Sequence, residues 1–106
     1  MHTGEIVPSE LLAWLQEKER SGILIDVREL HEWEYYHLDE ALHIPMQTVP
    51  AKLGELPQDC PIYVVCAHGI RSANVCDYLQ RNGFDNAVNV AGGMAAVSAL
   101  RGFQYD

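Results

Sequence analysis

One cysteine of this sequence stands in a context that suits it to act as a nucleophile. Cys66 ends an almost continuous apolar run that begins at Ile62, and Gly69 and Arg71 follow it closely. A thiolate is the reactive form of cysteine, and backbone N–H groups, a helix N-terminus and a nearby positive charge all stabilise it. The segment therefore predicts covalent catalysis by a cysteine whose pKa lies below that of a free thiol.

The residue types of the segment 66–71 suit it to hold an anion. Gly69 permits a positive φ, and a helix predicted to begin near Ser72 turns its unpaired N–H groups towards the loop. Arg71 adds planar donors for an anionic substrate, and His68 adds a pH-dependent charge. Nothing in this chemistry requires a metal or an organic cofactor. We predict that Cys66 is catalytic and that the six residues after it bind the substrate: Ala67, His68, Gly69, Ile70, Arg71 and Ser72.

Alternating strands and helices are predicted to position this loop. Apolar residues at nearly every position predict strands, covered on both faces, over residues 23–27, 62–66 and 87–90. Helical patterns extend from a Ser9 N-cap to about residues 21–22, over 29–36 and 72–81, and from Gly92–Gly93 to about Leu100. The sequence therefore predicts an α/β domain with a mainly parallel sheet flanked by helices. Such sheets bind ligands beyond the carboxyl ends of their strands.

Prolines interrupt the middle of the chain. Pro45, Pro50, Pro57 and Pro61 lie within or beside the segment 46–59. Because proline lacks the N–H group that a helix interior needs, we expect this segment to be mostly loop, with room for one helical turn.

Length and charge restrict the partners that the chain can have. Its 106 residues, 48% of them hydrophobic, fit one domain over residues 1–106. The formal net charge of −8 repels nucleic-acid phosphates and anionic lipids, so neither nucleic acid nor membrane is an expected partner. No apolar run approaches the roughly 20 residues that span a bilayer, and the first residues lack a signal-peptide pattern. We therefore expect a cytoplasmic protein.

The two other cysteines are predicted to have no part in the chemistry. Three cysteines in total do not indicate a disulfide framework. Cys76 lies on the apolar face of a predicted helix with Val75 and Leu79, which favours core packing. The sequence assigns no role to Cys60.

The histidines and one charged pair are also interpreted as structural. His31, His37 and His43 recur every six residues, a spacing that does not align them on a helix. No Cys-x2-Cys or His-x3-His pair is present, so no metal site is predicted. Asp26 and Arg28 end a predicted buried strand and are expected to form an ion pair.

Four segments resemble a known family. Residues 66–72, Cys-Ala-His-Gly-Ile-Arg-Ser, resemble the active-site loop of single-domain rhodanese-like sulfurtransferases, Cys-x-x-Gly-x-Arg-Ser. Residues 24–28 resemble the family's Asp-Val-Arg strand end, residues 37–45 its Gly-His-Ile-Pro-Gly-Ala-x-Asn-Ile-Pro segment, and residues 87–94 its Val-x-x-Leu-x-Gly-Gly segment. The chain departs from these patterns at Tyr36, Asp39–Glu40 and Ala96–Val97, which are distant in sequence from the cysteine loop.

The resemblance implies a rhodanese-like fold and a two-step transfer of sulfane sulfur. Cys66 takes the outer sulfur of thiosulfate or a related anionic donor and carries it as a persulfide. An acceptor, cyanide in an assay or a thiol in the cell (a protein thiol included), then removes that sulfur. The resemblance implies no cofactor.

Two other functions remain open from the sequence. Cysteine-dependent phosphatases and arsenate reductases also combine a cysteine, an anion loop and an arginine, but with five residues between them. Here four residues separate Cys66 from Arg71, which predicts a smaller cradle. A non-catalytic binding module of the same fold is the second alternative. A cyanide-coupled sulfur assay separates these hypotheses.

Overall fold

A five-stranded parallel sheet forms the centre of the molecule. The structure, a computed structural model, describes residues 4–103. The strands are β1 (Gly4–Ile6), β2 (Ile23–Asp26), β3 (Leu42–His43), β4 (Ile62–Val65) and β5 (Ala87–Val90). They lie in the order β1-β5-β4-β2-β3, and every neighbouring pair is parallel, which confirms the predicted α/β class.

Helices cover both faces of this sheet. They are α1 (Pro8–Leu15), α2 (Leu30–Tyr35), α3 (Val49–Lys52), α4 (Ile70–Arg81) and α5 (Gly93–Leu100). Successive strand residues point to opposite faces, so Leu24 of β2 packs in one hydrophobic cluster and Ile25 in the other. The Leu24 cluster includes Leu11 of α1 and Met94 of α5, and the Ile25 cluster includes Leu79 of α4. None of the helices within residues 4–103 has the length and apolar character needed to cross a membrane.

The three predicted strands are present, but both edge strands of the sheet were missed. β1 has three residues and β3 has two. Runs this short do not establish an alternating or continuous apolar pattern. Their positions depend on pairing with β5 and β2, which is information that only the folded sheet contains.

The predicted Ser9 N-cap of the first helix is wrong. Val7 is the N-cap residue, with an extended backbone (φ −79°, ψ 153°), and Pro8 occupies the first helical turn. Proline suits that position because its φ is already helical and its missing N–H would have no partner there. The helix ends at Leu15, well before residues 21–22. Residues 16–20 are all exposed, so no apolar side chain holds a further turn against the sheet.

The segment 46–59 is more helical than predicted. It contains a 3-10 turn (Met46–Thr48), α3 and a second 3-10 turn (Leu53–Glu55). Pro50 lies in the first turn of α3, where the helix needs no N–H donor. Val49 is buried, and its contact with the core stabilises a helix that is too short to form alone.

The carboxyl ends of β2, β4 and β5 meet at one edge of the sheet. In register, Asp26 pairs with Val65, and Val64 pairs with Asn89. The segments that leave these strands lead into α2, α4 and α5. The Cys66 loop follows β4, so it lies between the segments that follow β2 and β5, the strands on either side of β4.

Candidate active site

Cys66 follows the last residue of β4, and backbone N–H groups surround its sulfur. The N–H groups of Gly69 and Ser72 donate to Cys66 Sγ at 3.1 Å and 3.2 Å. Gly69 has a φ of 96°, a left-handed turn that suits glycine, and it is the N-cap of α4. Ser72 lies in the first turn of α4, where N–H groups have no partner within the helix. The loop thus curls around the sulfur and turns donors towards it.

Opposing effects act on the pKa of the Cys66 thiol. Cys66 is 1% exposed, and this burial is the largest single effect and raises its pKa. Hydrogen bonds from the Ser72 hydroxyl and from the N–H groups of Ser72, Gly69 and His68 lower the pKa, and together they outweigh burial. The net pKa of Cys66 lies below its ordinary value, so more of it is thiolate at neutral pH than of a free cysteine.

Asn89 of β5 competes with the sulfur for the Ser72 hydroxyl. Ser72 Oγ lies 3.2 Å from Cys66 Sγ and donates to Asn89 Oδ1 at 2.5 Å. The Asn89 amide nitrogen donates to the Gly69 carbonyl at 3.2 Å and to the Glu5 carboxylate at 3.5 Å, which fixes the amide's orientation. Because a hydroxyl carries one proton, it serves one acceptor at a time. The backbone N–H groups are therefore the firmer donors to the sulfur.

The start of α5 holds the loop backbone from the other side. The N–H groups of Met94 and Ala95 donate to the carbonyls of Cys66 and Ala67 at 2.7 Å and 3.0 Å. A Cβ atom at Gly93 would lie 2.5 Å from the Cys66 carbonyl oxygen and 2.6 Å from the Ala67 carbonyl carbon. Only glycine therefore permits this approach of α5 to the loop.

A carboxylate from α2 holds the Arg71 guanidinium. Arg71 Nη1 and Nη2 donate to Glu32 Oε1 and Oε2, each at 2.8 Å. The two side chains are 33% and 19% exposed, respectively. The hydrogen bonds from Arg71 are the main cause that lowers the pKa of Glu32 to about 2, so this carboxylate is charged at neutral pH. The positive charge of the loop is thus compensated by a residue from another element.

The predicted substrate-binding residues differ in how far they are exposed to solvent. Those that are buried or half-buried are Ala67, Gly69, Arg71 and Ser72. The side chains of His68 and Ile70 are exposed, Ile70 to 73%. Backbone donors of the loop therefore face the sulfur, while two of its side chains lie at the surface.

Two residues of this site were not predicted from the sequence. Glu32 lies 39 positions from Arg71, and Asn89 lies 17 positions from Ser72. Asn89 left a signal, because it is a polar residue inside the apolar run of β5. The signal for Glu32 is weaker, since it is only a charged residue in the helix that follows β2. Both signals require the strand order to be known before they point to the Cys66 loop.

The other cysteines lie outside this arrangement. Cys76 is buried in the core beside α4 neighbours such as Leu79, which confirms the predicted packing role. Burial raises the pKa of Cys76 to about 12. Cys60 is half-buried, and its carbonyl accepts a hydrogen bond from the Asn86 side chain at 2.6 Å.

The predicted ion pair and two of the three histidines, His37 and His43, have structural contacts. Arg28 and Asp26 form a fully buried ion pair at 2.7 Å, as predicted. His37 Nδ1 lies 2.7 Å from the carbonyl of Trp33, and His43 Nε2 lies 2.8 Å from that of Arg28. A carbonyl only accepts, so each ring nitrogen is the donor. Within residues 4–103 no group of histidine, cysteine, aspartate and glutamate side chains is arranged to hold a metal ion.

Comparison with known sequences places this site in a family. The family model described as the rhodanese-like domain matches residues 7–100. MoeZ of Mycobacterium tuberculosis, named as an adenylyltransferase/sulfurtransferase, is 39% identical over 86% of this chain. The chain spans 24% of the length of MoeZ. YtwF of Bacillus subtilis, named as a sulfurtransferase, is 45% identical over 69% of this chain and 70% of its own.

Two further comparisons agree. The thiosulfate sulfurtransferase GlpE of Actinobacillus pleuropneumoniae is 33% identical over 84% of this chain and 81% of its own. The crystal structure of a rhodanese-like domain protein from Staphylococcus aureus is 40% identical, with a TM-score of 0.83 over 90% of this chain and 91% of that one. The family match and the sulfurtransferase relatives support sulfurtransferase activity in general. The chain belongs to the rhodanese-like domain family.

Proposed function

We propose that this domain transfers a sulfane sulfur from thiosulfate or a related donor to a thiophilic acceptor through a persulfide on Cys66. The observation that carries the proposal is the pair of backbone N–H groups at 3.1 Å and 3.2 Å from Cys66 Sγ. These donors are fixed by the loop and by α4, so they stabilise anionic sulfur without having to reorganise. The loop residues that follow Cys66, numbers 67–72, are assigned to the donor-binding site.

In the first step the Cys66 thiolate attacks the outer sulfur of the donor. With thiosulfate, a bond forms between Cys66 Sγ and that sulfur, the S–S bond of thiosulfate breaks, and sulfite leaves with the bonding electron pair. The lowered pKa of Cys66 supplies the attacking thiolate at neutral pH. The product is an anionic persulfide within the same loop.

In the second step the acceptor attacks the outer sulfur of the persulfide. Cyanide leaves as thiocyanate, whereas a thiol acceptor leaves as its own persulfide. Cys66 Sγ is the leaving group and recovers its negative charge. The N–H groups of Gly69 and Ser72 stabilise this charge, so the same donors serve both steps.

Thiocyanate formation from thiosulfate and cyanide tests the proposal. We expect turnover by the wild-type protein and a loss of at least about a thousandfold in Cys66→Ser, because a serine oxygen cannot carry sulfane sulfur. Cys60→Ser is the matched control and is expected to keep wild-type turnover, since only the backbone of Cys60 has a hydrogen-bond role above. Equal turnover by Cys66→Ser, or hydrolysis of an aryl phosphate without thiocyanate formation, would contradict the proposal.

A further inference from the structure

The charge of Arg71 is compensated within the site before any donor arrives. Its guanidinium makes two parallel hydrogen bonds to Glu32, a geometry that fits arginine and carboxylate closely. Within the segment 66–72 Arg71 is the sole guanidinium. The neighbouring Arg28 is fully buried and paired with Asp26, and its charge makes a smaller contribution than Arg71 to the lowered pKa of Glu32.

This compensation acts differently on different sulfur donors. Thiosulfate is a dianion, so the Glu32 carboxylate repels it and offsets part of the attraction by Arg71. An organic persulfide, R–S–SH, carries at most one charge at its reacting end. It depends on the N–H groups that surround Cys66 Sγ, and Glu32 leaves those unchanged.

We propose that Glu32 is a specificity-determining residue that lowers the use of thiosulfate and favours organic persulfides as sulfur donors. The inference rests on the proposed function. In the step concerned, the Cys66 thiolate attacks the outer sulfur of R–S–SH and a bond forms to Sγ. The S–S bond of the donor breaks, R–S⁻ leaves with the electron pair, and the transferred sulfur keeps its proton.

The structure also offers a substitution that removes the charge of Glu32 and keeps part of its hydrogen bonding. Glu32 Oε1 accepts a hydrogen bond from the Glu29 N–H at 3.0 Å, as part of the capping box of α2. In Glu32→Gln an amide oxygen can keep this bond and one bond from Arg71, while the negative charge is lost. Glu34, an exposed carboxylate on the same helix, provides the matched control Glu34→Gln with the same change in net charge.

The test compares kcat/KM for thiosulfate and for 2-hydroxyethyl persulfide, whose organic part is uncharged, in wild type, Glu32→Gln and Glu34→Gln. We expect Glu32→Gln to raise kcat/KM for thiosulfate about tenfold at low ionic strength and to change that for 2-hydroxyethyl persulfide less than about twofold. The gain for thiosulfate is expected to shrink as salt is added. Glu34→Gln is expected to leave both values within about twofold of wild type.

Other outcomes overturn the inference in recognisable ways. If Glu32→Gln lowers both kcat/KM values in parallel, Glu32 only positions Arg71. If it leaves the donor preference unchanged, or if Glu34→Gln shifts that preference equally, the inference is wrong. All of these results require a wild-type protein that accepts sulfur on Cys66. A wild type that gains no sulfur from either donor instead contradicts the proposed function itself.

Discussion

Cys66 and Cys76 are almost equally buried, yet the pKa of the Cys66 thiol is lowered and that of the Cys76 thiol is raised. They are 1% and 0% exposed and belong to the same hydrophobic cluster. The pKa of Cys66 is lowered, whereas burial raises the pKa of Cys76 to about 12. Cys76 lies within α4, where the N–H groups donate to carbonyls one turn back, but the sulfur of Cys66 faces the unpaired N–H groups of the first turn. The direction of backbone donors, rather than exposure, therefore accounts for the lower pKa of Cys66.

The largest expected effect is a difference in reaction rate between these two thiols. We expect iodoacetamide to modify Cys66 at least about a hundredfold faster than Cys76 at neutral pH, because the thiolate reacts and the pKa of Cys76 is so high. The rate at Cys66 is expected to rise with pH and to level off once the thiol is fully ionised. The midpoint of this rise is expected to lie below the free-cysteine value of about 8.5. Peptide mass spectrometry assigns the modified residue.

Thiolate absorbance provides a control that does not depend on reagent access. In the wild type, ultraviolet thiolate absorbance is expected to rise with a pH midpoint below that of free cysteine. Cys66→Ser is expected to lack this rise. A Cys66 midpoint at or above the free-cysteine value by both methods would show that the loop donors do not outweigh burial.

A side chain added at Gly93 is expected to reduce the difference in pKa between Cys66 and Cys76. Gly93→Ala places a Cβ atom 2.5 Å from the Cys66 carbonyl oxygen, so the loop or α5 has to move. We expect the free energy of unfolding to fall by about 2–4 kcal/mol and the pKa of Cys66 to rise. Gly102→Ala is the control, because Gly102 also has a positive φ (79°) but nothing lies within 4 Å of its Cβ position.

Denaturant unfolding and the Cys66 titration measure these two effects. Gly102→Ala is expected to cost about 1–2 kcal/mol from its backbone conformation alone and to leave the pKa of Cys66 unchanged. Equal behaviour of the two alanine variants would mean that contact with the start of α5 does not shape the loop.

Removal of the Ser72 hydroxyl is expected to have a smaller effect. Ser72→Ala removes one donor to Cys66 Sγ, and Asn89 already competes for that donor. We expect the titration midpoint of Cys66 to rise by about 0.5–1 pH unit, equivalent to one ordinary hydrogen bond. Ser98→Ala is the matched control, since Ser98 is equally buried and its hydroxyl donates to the Ala95 carbonyl.

The opposite results would revise the donor assignment at Cys66. A shift well above one pH unit in Ser72→Ala would make the hydroxyl, rather than the backbone, the principal donor to the sulfur. No shift at all would show that its proton stays on Asn89.

The smallest effect on activity is expected from the second cysteine. Cys76→Ala is expected to keep sulfur transfer within about twofold of wild type, because the Cys76 thiol is buried in the core and its high pKa keeps it protonated. The unfolding free energy is expected to drop by about 1–2 kcal/mol, since a buried side chain is shortened. Loss of turnover in a folded Cys76→Ala protein would require a relay between the two cysteines.

The features that were predictable from the sequence are those with local signals. Cys66, Gly69 and Arg71 are close in the chain, and an apolar run precedes them, so both the strand and the loop could be read together. The resemblance to the rhodanese-like family is confirmed by the match over residues 7–100. The Asp26–Arg28 ion pair was predictable because its two residues are also close in the chain and follow an apolar run.

The features that were missed depend on contacts between distant segments. The prediction that Arg71 offers planar donors to an anionic substrate did not include Glu32, which contacts Arg71 from a helix after a different strand. Asn89 could not be joined to Ser72 until β5 was placed beside β4. The helical turn around Pro50 was missed because burial of Val49, rather than local propensity, stabilises it.

Peptide mass spectrometry can show directly whether Cys66 carries the sulfur. The protein is incubated with a sulfur donor (thiosulfate and glutathione persulfide in parallel), trapped by alkylation and digested. We predict the added mass of one sulfur atom on the peptide that contains Cys66, its absence from the Cys60 and Cys76 peptides, and its loss after addition of cyanide. Sulfur on Cys60 or Cys76 while the Cys66 peptide stays unmodified would show that Cys66 is not the sulfur carrier.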